Sequence, residues 1–143
     1  MQKTKYIAYG SNLNLSQMAR RCPTAKEVGT AMLKDYQLTF RGVATLEPKI
    51  GAVTPIAVWE LEELDEKNLD VYEGYPSLYR KEIVDIEVRG ETMQAMVYLM
   101  NSGEPRLPSI GYFNTIRQGY CDVGFDLDYL NKAVEDTDNR IKR

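Results

Sequence analysis

A chain of 143 residues with 43% hydrophobic content can bury one sizeable core and has no room for two, so a single domain spanning residues 1–143 is expected. Its 18 basic and 21 acidic residues, a net charge of -3, are mixed along the whole length, which argues against nucleic acid or an anionic membrane as a partner. Histidine is absent, and with it go the commonest general base, the usual activator of a catalytic serine and the commonest metal ligand, so acid–base work falls to carboxylates, tyrosines, lysines or water.

The first residues lead directly into a strand-like run, Lys5 to Tyr9, that ends at Gly10. No stretch of the chain approaches the roughly 18 apolar residues of a membrane-spanning helix, so a soluble cytoplasmic protein with no membrane partner is expected. Asn14, with Gln17 three residues later, forms a capping pair for a short helix that Cys22-Pro23 ends. Strands are predicted over Glu27 to Leu33, Tyr36 to Phe40, Val43 to Leu46 and Thr54 to Leu61, separated by Lys34-Asp35, Gly42 and Pro48 to Gly51. Leu61, Leu64, Leu69 and Tyr72 then share one stripe of a helix that Gly74 stops.

Alternation of Val84, Ile86 and Val88 with Asp85 and Glu87, followed by Arg89-Gly90 and a second run from Thr92 to Met100, predicts a hairpin. Helical spacing returns over Ser109 to Tyr120 and Asp126 to Asp136, and the polar tail from Asp138 to Arg143 is expected to fray. Strands in the middle with short helices between and around them predict an α/β (α+β) fold with a mixed, strongly curved or barrel-like sheet.

Two segments could carry chemistry. Tyr9-Gly10-Ser11-Asn12 stands between a strand and a helix start, where backbone N–H groups can converge on an anion or a developing oxyanion, although the same residues also make an ordinary turn. Glu73 ends a helix among Val71, Tyr72, Tyr75 and Pro76. Desolvation and the negative helix end would both raise its pKa toward the range of a working base, while a solvated glutamate at a helix end would look the same in sequence. Tyr79, Tyr98 and Tyr112 could orient a carboxylate or line a polar pocket, or simply pack. Ser11 lacks a histidine to activate it as a nucleophile. Cys22 and Cys121 fall in no metal-ligand spacing, and neither a disulfide nor a metal is predicted. Met93, Met96 and Met100 are assigned to the core.

Tyr9-Gly10-Ser11-Asn12-Leu13 after the first strand, and Glu73-Gly74 after a short helix, resemble the two signatures of the γ-glutamylcyclotransferase-like superfamily. Further similarity lies in Gly42-Val43-Ala44-Thr45, Val58-Trp59, Tyr98-Leu99-Met100 and Pro108-Ser109-Ile110-Gly111-Tyr112, so the resemblance runs over about residues 5–135. It implies a curved or barrel-like sheet with short flanking helices, no cofactor and no metal, and a small-molecule γ-glutamyl substrate. In such enzymes the substrate's α-amino group attacks its own γ-carbonyl, releasing 5-oxoproline and a free amine or amino acid, a chemistry tied to glutathione metabolism. By resemblance Glu73 is the general acid/base, and Tyr9, Gly10, Ser11, Asn12, Leu13, Tyr79 and Tyr112 are substrate-binding. Gly74 to Tyr79 is shorter than in the animal enzymes and carries a proline, which leaves the leaving group open. So are the choice between monomer and homodimer and the alternative of a non-catalytic module that binds a small carboxylate.

Overall fold

The computed structural model describes residues 3–143. In chain order it forms β1 (Thr4–Ala8), a 3-10 turn (Ser11–Leu13), α1 (Leu15–Arg21), β2 (Lys26–Phe40), β3 (Ala44–Leu61), α2 (Glu63–Glu73), β4 (Tyr79–Val88), β5 (Glu91–Met100), α3 (Ile110–Val123) and α4 (Leu127–Ile141). The five strands make one mixed sheet in the order β2-β3-β1-β5-β4, antiparallel except where β1 runs parallel to β5. The fold is therefore the mixed α+β type, and its sheet is curved but not closed. Its two edges do approach: a Cβ added to Gly29 of β2 would stand 2.9 Å from Val88 Cγ1 of β4. Among the described residues no helix is long and apolar enough to cross a membrane.

The four short strands expected between residues 27 and 61 are two long ones. Lys34-Asp35 is a bulge rather than a turn. Lys34 pairs with Val53 and Tyr36 with Pro48, so Asp35 alone faces the excursion from Lys49 to Ala52 on β3. Asp35 adopts φ 66°, Gly51 adopts φ 88°, and the Asp35 carboxylate accepts the Gly51 N–H at 2.9 Å. A local side-chain hydrogen bond thus lets the ladder continue past turn-forming residues. The true reversal is at Gly42, φ 83°, between Phe40 and Ala44. The predicted hairpin of β4 and β5 forms around Arg89 and Gly90, both at positive φ (54° and 79°), as a two-residue turn matched to strand twist requires.

The core sits between the concave sheet and its helices, with Ile7, Phe40, Ile56, Val58, Val97, Ile116 and Leu130 fully buried. Burying each such side chain stabilises the fold by about 1.5–3 kcal/mol. Two contacts anchor the chain on either side of α1. A Cβ on Gly119 of α3 would lie 2.6 Å from the Leu13 carbonyl carbon and the Asn14 nitrogen, so only glycine lets α3 rest directly on the chain just after the 3-10 turn. Asp65, 1% exposed, accepts from the Glu62 N–H (3.0 Å), the Thr24 N–H (3.3 Å) and the Thr24 hydroxyl (2.7 Å), which ties the start of α2 to the chain after α1.

That capping arrangement changes which side of α2 faces inward. Leu69 is buried as expected, but Leu64 is exposed and Asp65 takes the inner position. At the other end of the chain the tail expected to fray is helical to Ile141. Thr137 is buried with its hydroxyl donating to the Ala133 carbonyl, Arg140 donates to Glu47 at 2.9 Å, and Lys142 pairs with Asp138 at 2.8 Å, so polar side chains find partners that hold the last turns.

Candidate active site

β1 delivers the first half of the site. Beyond Ala8 the chain turns at Gly10, where an added Cβ would lie 3.2 Å from the Ala44 Cβ and 3.6 Å from the Tyr112 hydroxyl. The Leu13 N–H closes onto the Gly10 carbonyl at 3.0 Å and the Asn14 N–H onto the Ser11 carbonyl at 3.1 Å. Among the described residues the N–H groups of Ser11 and Asn12, at the start of this turn, find no partner within it. The Asn14 side chain accepts from the Gln17 N–H at 3.1 Å and so starts α1 as its spacing predicted.

α2 delivers the second half. Its last turn closes on Gly74 in the left-handed conformation, φ 65°, with the Tyr75 N–H donating to Asp70 O at 2.9 Å, so Gly74 stops the helix immediately after Glu73. Glu73 then lines the same small cavity as Tyr9, Gly10, Ser11 and Asn12, together with Tyr79 and Tyr112. The cavity measures about 20 Å³, room for about one water molecule.

The family profile described as "Gamma-glutamyl cyclotransferase, AIG2-like" matches residues 6–114. The chain belongs to that family. It is 30% identical to the human "Gamma-glutamylcyclotransferase" over 151 aligned positions, which cover 93% of this chain and 79% of the relative. It is also 30% identical to the Bos taurus protein of that name over 157 positions, covering 96% and 81%. A solved "Gamma-glutamyl cyclotransferase" superposes with a TM-score of 0.81 at 27% identity, over 92% of this chain and 86% of that one. YkqA from Bacillus subtilis shares the fold, with a TM-score of 0.78 at 22% identity over 96% of this chain and 55% of its own.

Around this cavity most hydroxyls are already engaged. Tyr9 donates to the Tyr98 carbonyl (2.6 Å), Tyr79 donates to the Ala44 carbonyl (2.7 Å), and Tyr98 donates to the Asp70 carboxylate (2.6 Å). Tyr6 accepts from the Asn12 side-chain amide at 2.9 Å. Tyr112 accepts the Ala44 N–H at 3.0 Å, which leaves its own proton to be donated. Tyr79 and Tyr112 therefore clamp one residue at the start of β3, and the Tyr79 proton is committed there and not to Glu73.

Glu73 is the exception. Among the described residues no hydrogen bond or ion pair reaches its carboxylate, and burial pushes its pKa up to about 7 against a smaller downward pull from Arg21. Its place at the negative end of α2 acts in the same direction as burial.

Leu13 departs from the sequence expectation. Its side chain is fully buried beneath α3 and its N–H is committed to Gly10, so it supports the loop from below and does not face the cavity. Two neighbours escaped the sequence reading altogether. The Tyr72 hydroxyl lies 2.9 Å from Ser11 Oγ, and the Arg21 guanidinium sits 3.5 Å from the Tyr72 ring centre while donating to Asn12 at 2.5 Å and Gln17 at 2.7 Å. This stack therefore contacts two of the residues that line the cavity, Ser11 and Asn12. The Gln17 and Arg21 pair, four apart on one helix, was a signal available in the sequence; the position of Tyr72 over Ser11 was not.

Proposed function

We propose that this protein is a cyclising enzyme that converts a γ-glutamyl amino acid or γ-glutamylamine to 5-oxoproline and the free amine. The observation that carries the reading is that Glu73, a carboxylate with no partner among the described residues and a pKa raised by burial to about 7, lines one cavity with Ser11 and Asn12, whose N–H groups open the 3-10 turn.

The substrate supplies its own nucleophile. Glu73, ionised, takes a proton from the substrate's α-ammonium group, and the neutral amine then attacks the γ-carbonyl carbon. A bond forms between that nitrogen and that carbon, and the carbonyl oxygen becomes an oxyanion held by the N–H groups at the start of the 3-10 turn, with the Tyr112 hydroxyl as a further donor. When the tetrahedral centre collapses, the bond to the departing nitrogen breaks as Glu73 returns the proton to it, and the ring nitrogen, cationic after its attack, gives its second proton to water to leave the neutral lactam. A base that must both accept and return a proton works best with a pKa near the ambient pH, which burial provides here.

Holding the two reacting ends of one molecule together contributes up to about 7–11 kcal/mol to lowering the barrier. No protein nucleophile, metal or cofactor enters this scheme. A cavity of about 20 Å³ is too small for a γ-glutamyl group, so it has to widen on binding.

The test is release of 5-oxoproline, followed by mass spectrometry across a panel of γ-glutamyl amino acids and amines. At least one compound should turn over. A panel that yields none, with the protein folded, or binding of 5-oxoproline without turnover, would replace the enzyme with a carboxylate-binding module.

A further inference from the structure

The helix that carries Tyr112 into the cavity carries a second buried phenol at its other end. Tyr120 lies about 12 Å further along α3, at the helical rise of 1.5 Å per residue. It borders a separate recess of about 410 Å³ between the β2–β3 ladder and α4, whose walls include Leu38, Ile50, Val53, Tyr129 and Ala133. That volume falls in the usual span of small-molecule sites, roughly 300–1,000 Å³, and the lining is mostly apolar, as such sites are.

Three features of the recess are not explained by packing. Tyr120 is 0% exposed, and its buried hydroxyl has no hydrogen-bond partner among the described residues. An unpaired buried hydroxyl is unfavourable, and phenylalanine would fill the same space without it. The rim carries Lys49 and Lys132 against a single carboxylate, Asp136. Lys49 has no acidic partner among the described residues, Lys132 reaches Asp136 only at 3.8 Å, and Asp136 already accepts from Gln37 at 3.1 Å, so one positive charge is unmatched. Finally, the excursion that brings Lys49 to the rim is held by the Asp35–Gly51 hydrogen bond and leaves both Lys49 and Ile50 exposed, so neither side chain packs into the recess.

We infer that this recess is a second ligand site, for a small aromatic monocarboxylate bearing another oxygen at its far end. The ring packs against Val53, Leu38 and Ala133, the inner oxygen is directed at the Tyr120 hydroxyl, which is covered in the free protein and which the ligand must uncover, and the carboxylate lies between Lys49 and Lys132. The site shares no lining residue with the Glu73 cavity and does not depend on the reaction proposed there.

The experiment is a titration of the full chain, followed by backbone amide NMR, with 4-hydroxyphenylacetate and two truncated probes. Phenylacetate lacks the inner oxygen and 4-ethylphenol lacks the carboxylate. Saturable shifts are expected in residues 49–54, the end of α3 and α4. Tyr120→Phe should weaken 4-hydroxyphenylacetate about tenfold, the worth of one hydrogen bond, and leave phenylacetate unchanged.

The double variant Lys49→Gln/Lys132→Gln should weaken both acids and spare 4-ethylphenol. Loss of fold is not a confounder for Tyr120→Phe, whose melting temperature should equal or exceed that of the parent because the hydroxyl is unpaired in the free protein. The inference is overturned if no probe saturates at millimolar concentration or if binding ignores both variants. It is overturned equally if sedimentation shows a dimer that Ile50→Ser dissociates and that excludes the probes, because a second copy would then be the occupant.

Discussion

The two ends of α2 each carry an inward-facing carboxylate, and the molecule treats them in opposite ways. At the first turn Asp65 receives three donors, from Glu62 and Thr24, and is closed off from solvent. At the last turn Glu73 receives none among the described residues, and burial drives it toward neutrality. The helix field favours the first charge and opposes the second. A buried acid with both its oxygens engaged holds structure together, whereas one left unpaired keeps its proton exchangeable, which is what acid–base chemistry needs.

The sharpest way to break this contrast is Glu73→Gln. Turnover should fall by about 10²–10⁴-fold, the usual worth of a positioned general base, with the melting temperature unchanged or raised. The parent should also show a matching pH signature. Glu73 has a folded pKa of about 7 against an ordinary 4.5, so between those values the native state binds more protons than the unfolded one and stability declines as pH rises. The decline amounts to roughly 3 kcal/mol at most, it levels off above about 7, and it should vanish in the glutamine variant. In the parent, kcat/KM should rise about tenfold per pH unit toward the same value, since only the ionised form accepts the ammonium proton. A flat profile across that range would remove Glu73 from the proton transfer.

Asp65→Ala tests the opposite end. Losing a helix cap and stranding the Thr24 and Glu62 donors should cost about 2–4 kcal/mol in denaturant unfolding, with activity per folded molecule much less affected. If activity fell as far as in the Glu73 variant, the division between a structural and a chemical carboxylate would be wrong.

Gly119→Ala comes next, at about 1–3 kcal/mol of overpacking, because its Cβ would strike backbone atoms at 2.6 Å that no side-chain rotation can relieve. Through Leu13 and Asn14 it should also disturb the turn at Ser11 to Leu13 and, on the proposed role of that turn, raise KM.

The smallest effect is expected from Arg21→Gln, about 0.5–1 kcal/mol for the lost stacking on Tyr72. Its distinctive outcome is an upward displacement of the Glu73 pKa, seen as a pH–rate profile moved to higher pH, since Arg21 is what pulls that pKa down.

Local residue order carried much of the fold. The Arg89-Gly90 turn, the Asn14 cap and the Gly74 stop are each decided within a few residues, by φ requirements and by side chains that reach only their neighbours, and all three stand where the spacing predicted them. Failures occurred where a distant partner outvoted a local signal. Lys34-Asp35 has turn chemistry, but pairing across to Val53 and Pro48 absorbed it as a bulge. The polar tail after Asp138 has no apolar stripe, yet Glu47 on β3 gives Arg140 a partner and the helix persists.

The candidate site divides along the same line. Sequence alone determined the two ingredients, a glycine-bearing turn after the first strand and a glutamate at a helix end, because strand, turn and helix stop are short-range properties. Only the tertiary structure decided that they face one cavity, that Leu13 supports the turn from beneath, and that Tyr72 and Arg21 stack against Ser11 and Asn12. The physical reason is that burial and pairing are set by residues some sixty or a hundred positions apart, such as Tyr72 on Ser11 and Gly119 on Leu13. A carboxylate's pKa follows from that environment and cannot be read from its immediate neighbours.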